Sequence, residues 1–189
     1  VIVDAFAKNL LHQSTCLALG SSGMRIGELM NIKKKDLVFS TKRITVKIPP
    51  NTKTRTGRTT FFTKEVEEKI KKRLGELNPD DYVFCKKSPY SGQFSFSVAL
   101  RRILKKLGLD EKYQSNNYCK ITPHTWRAYF FTKAARKHGD DYAHKMTGHG
   151  GYLMQYDRMT EEEKLDMYIE LEPDLVVYEQ TKNKLKIEQ

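Results

Sequence analysis

Apolar residues recur every three or four positions over most of the chain, which predicts a mainly helical protein. Helices are predicted at residues 4–19, 24–31, 63–74, 93–108, 123–138, 141–147 and 160–171, with a turn at 20–23. Strands are predicted at 37–39, at 43–48, where apolar and polar residues alternate by two, and at 59–62, and a short terminal strand is predicted at 175–178. We therefore expect a mixed α/β domain, mostly α-helical, with a small three-stranded antiparallel sheet.

Most of the predicted helices have an apolar face that should point towards the core, but the apolar stripe of the helix at 63–74 is thin, so we expect that helix to lie on the surface. In the helix at 4–19 this face includes Leu10, and in the helix at 93–108 it includes Phe94. In the helix at 123–138, Trp126, Phe130 and Ala134 form a stripe with a spacing of four. These faces are enough for one hydrophobic core.

The length of 189 residues suits one domain, and we expect residues 1–189 to form it. Because the sequence begins at Val1 rather than at methionine, we also expect a fragment of a longer protein. Three widely spaced cysteines, Cys16, Cys85 and Cys119, predict neither a disulfide framework nor a zinc ribbon. An intracellular, cytoplasmic protein is the expectation, and no apolar run is long enough for a membrane span.

Positive charge is concentrated in one part of the chain. The formal net charge is +11, and residues 33–73 contain 14 Lys or Arg against 4 Asp or Glu. Residues 157–189 contain 5 basic and 10 acidic residues, so the basic and acidic parts are separate. A single charged run is often only a solvated face, but this distribution favours a polyanionic partner such as DNA.

Two segments place arginine at the start of a predicted helix. Thr122 is a good N-cap and Pro123 suits the first helical position, which puts His124 and Arg127 in the first turn, where they can bind an anion. Arg25 stands at the start of the helix at 24–31, three residues before Glu28. That spacing fits a surface ion pair as well as a phosphate-binding arginine held by a carboxylate.

The remaining candidates lie in a basic hairpin and after a glycine-rich break. Lys53, Arg55 and Arg58 alternate with threonines in a predicted hairpin at 52–62, which suits contact with DNA phosphates, although a plain solvated hairpin has the same pattern. Tyr152 and Tyr156 follow the glycines at 148–151. A tyrosine near cationic groups is a candidate oxygen nucleophile for phosphorus.

Metal and nucleotide cofactors are not indicated. His138, His144 and His149 do not share a helical face, and no cysteine or carboxylate pair completes a zinc site. A two-metal nuclease requires clustered acidic residues near the basic segment, and this sequence has no such cluster there. There is also no Walker-type loop for ATP. The hypothesis is a DNA phosphoryl transferase that needs no cofactor.

Four segments together resemble the catalytic domain of the tyrosine recombinases, the lambda-type integrase family. GMRIGEL (23–29) resembles the first arginine box, and TKTRTGRT (52–59) resembles the lysine-bearing hairpin. TPHTWRAYFFT (122–132) resembles the H-x-x-R box, and TGHGGYLMQYD (147–157) resembles the glycine-histidine and tyrosine box. The order and spacing agree over nearly the whole chain, and the C-terminal part is similar in style to archaeal members.

The resemblance implies a role for each matching residue. Arg25 and Arg127 would bind the non-bridging oxygens of the scissile phosphate, with Glu28 orienting its neighbours. Three further residues would complete the chemistry: Lys53 as the proton donor to the leaving oxygen, His124 in proton transfer and His149 as a hydrogen-bond donor to the phosphate. The nucleophile would be Tyr156, with Tyr152 as the alternative, and Arg55 competes with Lys53 if the hairpin shifts by two.

The implied function is site-specific DNA strand exchange by an integrase or resolvase through a 3′-phosphotyrosyl intermediate, without metal or ATP. The implied partners are a double-stranded attachment site and further copies of the chain, as a tetramer on DNA associated with the nucleoid. An upstream DNA-clamping domain would be missing from this stretch. A type IB topoisomerase-like enzyme and an inactive DNA-binding module are the alternatives.

Overall fold

The computed structural model of the chain describes residues 1–50, 57–148, 158–178 and 183. The α-helices of this part are Ile2–Ala5 (α1), Leu10–Ser22 (α2), Ile26–Asn31 (α3), Lys64–Glu76 (α4), Pro89–Lys106 (α5), Pro123–His138 (α6), Asp140–Thr147 (α7) and Glu161–Leu175 (α8). The strands are Leu37–Val38 (β1), Thr45–Ile48 (β2) and Arg58–Phe61 (β3), and they form one antiparallel sheet in that order. The predicted fold class is confirmed.

Helix α2 lies at the centre of the fold, and every residue from 13 to 22 is buried. It contacts α4, α6 and α8, so its apolar surface meets neighbours on several sides instead of on one face. Most buried side chains form one cluster around α2, α3, α4 and α5. A second cluster joins α6, α7 and α8 to Phe61 of β3.

Strand β3 connects the sheet to this helical core. Thr60 donates a hydrogen bond from Oγ1 to the carbonyl oxygen of Ser22, 2.9 Å away, at the end of α2. The ring of Phe61 lies 5.2 Å from that of Tyr168 in α8. Because side chains alternate along a strand, neighbouring residues of β3 reach different helices.

The helix predicted at 4–19 is two helices, and the turn predicted at 20–23 is wrong because Gly20, Ser21 and Ser22 complete α2. The hydroxyl groups of both serines donate to the carbonyl oxygen of Ala18, which satisfies them inside a buried helix. A Cβ atom at Gly20 would lie 3.2 Å from the ring of Trp126, so this glycine allows α2 and α6 to pack closely. Leu10, predicted to face inward, begins α2 and is exposed.

Helix α5 begins four residues earlier than predicted and uses another face. Ser88 is its N-cap and accepts a hydrogen bond from the N–H of Ser91, with Pro89 in the first helical position. The buried stripe contains Phe96, whereas Phe94, predicted to be inward, is 64% exposed. The longer helix changes which positions meet the core.

The C-terminal prediction also needs correction. Helix α8 continues past Pro173 to Leu175, and residues 176–178 are not in a strand. The backbone N–H groups of Val177 and Tyr178 donate to the carboxylate of Glu65 in α4, which replaces the pairing that a strand would supply. Within the described residues, no helix is long and apolar enough to cross a bilayer.

Candidate active site

A sharp turn between α2 and α3 places Arg25 at the start of α3. Gly23 ends α2 with a φ of +63°, a left-handed conformation that favours glycine. A Cβ atom there would lie 2.5 Å from the ring of Phe130, so no side chain fits. Arg25 lies at the helix start, as predicted, and is the N-cap residue of α3, which begins two residues later than the predicted helix.

The carboxylate of Glu28 is the centre of the site and accepts hydrogen bonds from two arginines. Its Oε1 lies 2.8 Å from Nη1 of Arg25 and 3.1 Å from Nη1 of Arg58. Its Oε2 accepts from the backbone N–H of Arg25 at 2.9 Å and from Nη2 of Arg58 at 2.6 Å. The Glu28 side chain is only 4% exposed, so the surface ion pair that the spacing allowed is instead a buried network.

The ionisation of Glu28 follows from these contacts. Burial by itself raises the pKa of the carboxyl group, but the hydrogen bonds and charge of Arg58, followed by the bonds from Arg25, outweigh it. The pKa is therefore held below its ordinary value, and Glu28 is negatively charged at neutral pH. Its charge offsets part of the positive charge of the arginines around it.

Arg127 lies in the first turn of α6, as predicted, and its side chain is 1% exposed. Its Nη1 donates to the carbonyl oxygen of Gly23 at 2.6 Å and its Nη2 to that of Thr147, so it joins the ends of α2 and α7. Nη1 also lies 4.0 Å from Oε2 of Glu28. Nε has no partner within the described part of the chain.

Burial, together with repulsion from Arg25 and Arg58, lowers the pKa of Arg127 to about 9. At pH 7 the group therefore still carries its charge. Three guanidinium groups and one carboxylate thus meet where α2, α3, α6, α7 and β3 come together. Such an excess of positive charge favours an anion.

Arg58 occupies a different environment from the one predicted. Its side chain is 3% exposed, and besides its contacts with Glu28 its Nε donates to the carbonyl oxygen of Met146 at 3.2 Å. A direct contact with DNA, as the hairpin pattern predicts, would first require this buried ion pair to open. The sequence contains no local signal for the pairing of Arg58 with Glu28.

His124 lies in the first turn of α6 and is exposed. The helix start is held by Thr125, whose Oγ1 accepts the backbone N–H of the N-cap residue Thr122 at 3.0 Å. His124 therefore faces solvent at a helix N-terminus, where backbone N–H groups attract anions, three residues before the buried Arg127.

The structure therefore brings Arg25, Arg127 and Glu28 together, with His124 on the same turn as Arg127. The other predicted site residues lie outside the described residues: Lys53, Arg55, His149, Tyr156 and the alternative nucleophile Tyr152. Their roles stay predictions. Among the described residues, no three metal-ligating side chains are grouped to hold an ion.

Comparison with known proteins identifies the fold and the family. The model of the phage integrase family matches residues 3–161. The crystal structure of XerA recombinase has a TM-score of 0.60 at 20% identity, covering 94% of this chain and 61% of that one. XerH site-specific recombinase bound to difH substrate has a TM-score of 0.60 at 20% identity, covering 87% and 49%.

The integrase of the Tn1549 transposon, in complex with circular intermediate DNA, has a TM-score of 0.53 at 17% identity, covering 95% of this chain and 58% of that one. No curated protein matches the chain. The chain thus spans about half to three fifths of the length of these solved structures. Since the family model covers most of the sequence, and the fold agrees with it, the chain belongs to the phage integrase family.

Proposed function

We propose that this chain is the catalytic domain of a site-specific DNA recombinase. The phenol oxygen of Tyr156 gives up its proton with the help of His124 and attacks the scissile phosphorus, and a 3′-phosphotyrosyl bond replaces the bond to the 5′ oxygen, which leaves with a proton from Lys53. A 5′-hydroxyl from another strand then attacks the same phosphorus and releases the tyrosine. Each step exchanges one phosphodiester for another, so the bond energy is kept without ATP.

The observation that carries this proposal is the convergence of Arg25 and Arg127 on Glu28 from helices α3 and α6. Phosphoryl transfer depends on fixed positive charge at the phosphate oxygens. Arg25, 26% exposed in its side chain, is open to a ligand, while the buried Arg127 adds charge behind it. In the proposal, Arg25 binds the non-bridging oxygens directly, and Arg127 joins it once its site, buried in the free chain, opens to the phosphate.

Four further residues complete the proposed reaction. Lys53 protonates the leaving oxygen, and Arg55 follows it in the basic segment, where it contacts the DNA backbone. His124 assists proton transfer from the exposed start of α6, and His149 donates a hydrogen bond to the phosphate. A lysine suits proton donation better than an arginine because the pKa of arginine is far higher.

The proposed substrate is double-stranded DNA, which the net charge of +11 favours. Two of the solved relatives, XerH and the Tn1549 integrase, are structures with DNA. We propose assembly as a tetramer on the attachment site, because strand exchange joins ends from two duplexes. Binding should weaken steeply with salt, since most contacts would be to phosphates.

The test uses a library of nicked duplexes with randomised centres, in which cleavage releases a short fragment and traps the covalent complex. We expect the chain to form a protein–DNA adduct that maps to Tyr156. Tyr156→Phe should bind DNA as the unchanged chain does but form no adduct, and Tyr152→Phe is the matched control that should still react. Adducts that persist in Tyr156→Phe and vanish in Tyr152→Phe would show that the nucleophile is Tyr152.

Two other outcomes would replace the proposal. DNA binding with no adduct from either tyrosine would indicate that the chain is an inactive DNA-binding module. Relaxation of a supercoiled plasmid of arbitrary sequence, with adducts of no preferred sequence in the library, would favour a type IB topoisomerase-like enzyme. A recombinase is expected to enrich particular sequences.

A further inference from the structure

Arg58 is the most completely engaged of the arginines around Glu28. Nη1, Nη2 and Nε donate to three acceptors, namely the two carboxylate oxygens of Glu28 and the carbonyl oxygen of Met146. A planar guanidinium matches a carboxylate with two parallel bonds, a geometry that a lysine cannot reproduce. With its side chain 3% exposed, Arg58 is built into the protein and not displayed on its surface.

Arg58 also determines how much of Glu28 is left for the other arginines. Each carboxylate oxygen accepts one bond from Arg25 and one from Arg58. Arg127, 4.0 Å from Oε2, is close to the same carboxylate. If Arg58 were absent, Glu28 would draw more strongly on Arg25 and Arg127, the two groups proposed to bind phosphate.

The same side chain fixes where the chain leaves α7. The carbonyl oxygen of Met146, in the last turn of α7, accepts from Nε of Arg58 at 3.2 Å. Gly148 ends α7 with a φ of +67°, and a Cβ atom there would lie 3.1 Å from Cδ and Nη1 of Arg58. Arg58 therefore lies against Gly148, the residue that precedes in sequence the segment at 149–157, which carries the proposed His149 and Tyr156.

We infer that Arg58 is a positioning residue for strand transfer, acting through Glu28 and the end of α7 rather than by contact with DNA. This inference rests on the proposed function. Arg58 keeps the Glu28 carboxylate occupied and in place, so that Arg25 stays oriented and Arg127 is not drawn towards Glu28. It also holds the α3 and α7 elements at a constant separation.

The test compares Arg58→Met, Glu28→Gln, the double variant and Arg58→Lys with the unchanged chain. Arg136→Met is the matched control, because Arg136 is an exposed arginine near the end of α6 and its replacement removes the same charge. Single-turnover cleavage is measured on a duplex recovered from the library, at saturating protein. The temperature is chosen so that circular dichroism shows every variant folded.

We expect Arg58→Met to lower the cleavage rate by about 10- to 100-fold, because small displacements of catalytic groups have effects of this size. The double variant should react faster than Arg58→Met alone, since the neutral amide that replaces the Glu28 carboxylate no longer pulls on Arg25 and Arg127. Arg58→Lys should fall between Arg58→Met and the unchanged chain, and Arg136→Met should keep the full rate. A double variant no faster than Arg58→Met would overturn the inference.

Binding to a duplex of random sequence, measured against salt concentration, separates positioning from contact. The slope of log K against log salt should be the same for Arg58→Met and the unchanged chain. A slope reduced by about 0.9 would indicate a lost phosphate contact and would also overturn the inference.

Failure of the proposed function would look different. If the unchanged chain binds DNA but forms no adduct, the function is wrong, while the salt slope still decides whether Arg58 touches DNA. Thermal unfolding tests the pairing of Arg58 with Glu28 without DNA. The melting temperature of the double variant should fall by less than the sum of the decreases caused by Arg58→Met and Glu28→Gln separately. Additive losses would refute the link to Glu28.

Discussion

Replacing Glu28 with alanine should destabilise the fold more than any single surface change. The substitution removes the acceptor of four hydrogen bonds, at 2.6 to 3.1 Å, and leaves Arg25, Arg58 and Arg127 without their shared counter-charge. Bonds to a charged group contribute about 1.5–3 kcal/mol each, but bonds that share one carboxylate do not add. Loss of one partner from a buried ion pair costs about 3–5 kcal/mol, and we expect Glu28→Ala to lose this much.

A loss of that size lowers the melting temperature of a domain of this length by about 6–20 °C. The assay is urea unfolding followed by circular dichroism, with Glu68→Ala as control because Glu68 is exposed on α4 and should change stability by less than about 0.5 kcal/mol. A loss for Glu28→Ala below about 1 kcal/mol, the range of an exposed ion pair, would refute the conclusion that the network is buried and paired.

Three further predictions test the network, the turn before Arg25 and the face of α5. Burial raises the pKa of Glu28, but the contacts with Arg58 and Arg25 lower the pKa by more, so the net shift is downward. The stability that the ionised Glu28 contributes is therefore present above the ordinary pKa of 4.5 and is lost as the pH falls below that value. Glu28→Gln should therefore flatten the acid limb of a plot of unfolding free energy against pH, and parallel limbs would contradict this. Gly23→Ala should lower the free energy of unfolding by about 2–4 kcal/mol, because the backbone there is left-handed and the new methyl group would clash with a buried ring. Gly75→Ala lies in a helix with open space around it and should be neutral or stabilising in the same unfolding assay. Phe96→Ala should cost about 3–5 kcal/mol and Phe94→Ala less than about 1 kcal/mol, and equal losses would show that the face of α5 is misassigned.

Local rules were sufficient for part of the site. A glycine before Arg25 and a Thr-Pro pair before His124 are signals for helix ends, and the structure has helix starts at both places. The same rules failed where burial overrode them. Gly20 reads as a turn residue, yet it lies inside α2 because the ring of Trp126 needs the space that a side chain would occupy.

The sequence by itself determined the class of fold, the three-stranded sheet and the helix ends that carry Arg25 and Arg127, since periodicity and capping act between residues close in the chain. Only the tertiary structure decided that Arg58 is buried against Glu28, 30 residues away, and bonded to Met146, 88 residues away. No periodicity records such partners. Whether a charged side chain faces solvent or a carboxylate depends on which distant segments exclude water from it, and that is settled when the helices and the sheet come together.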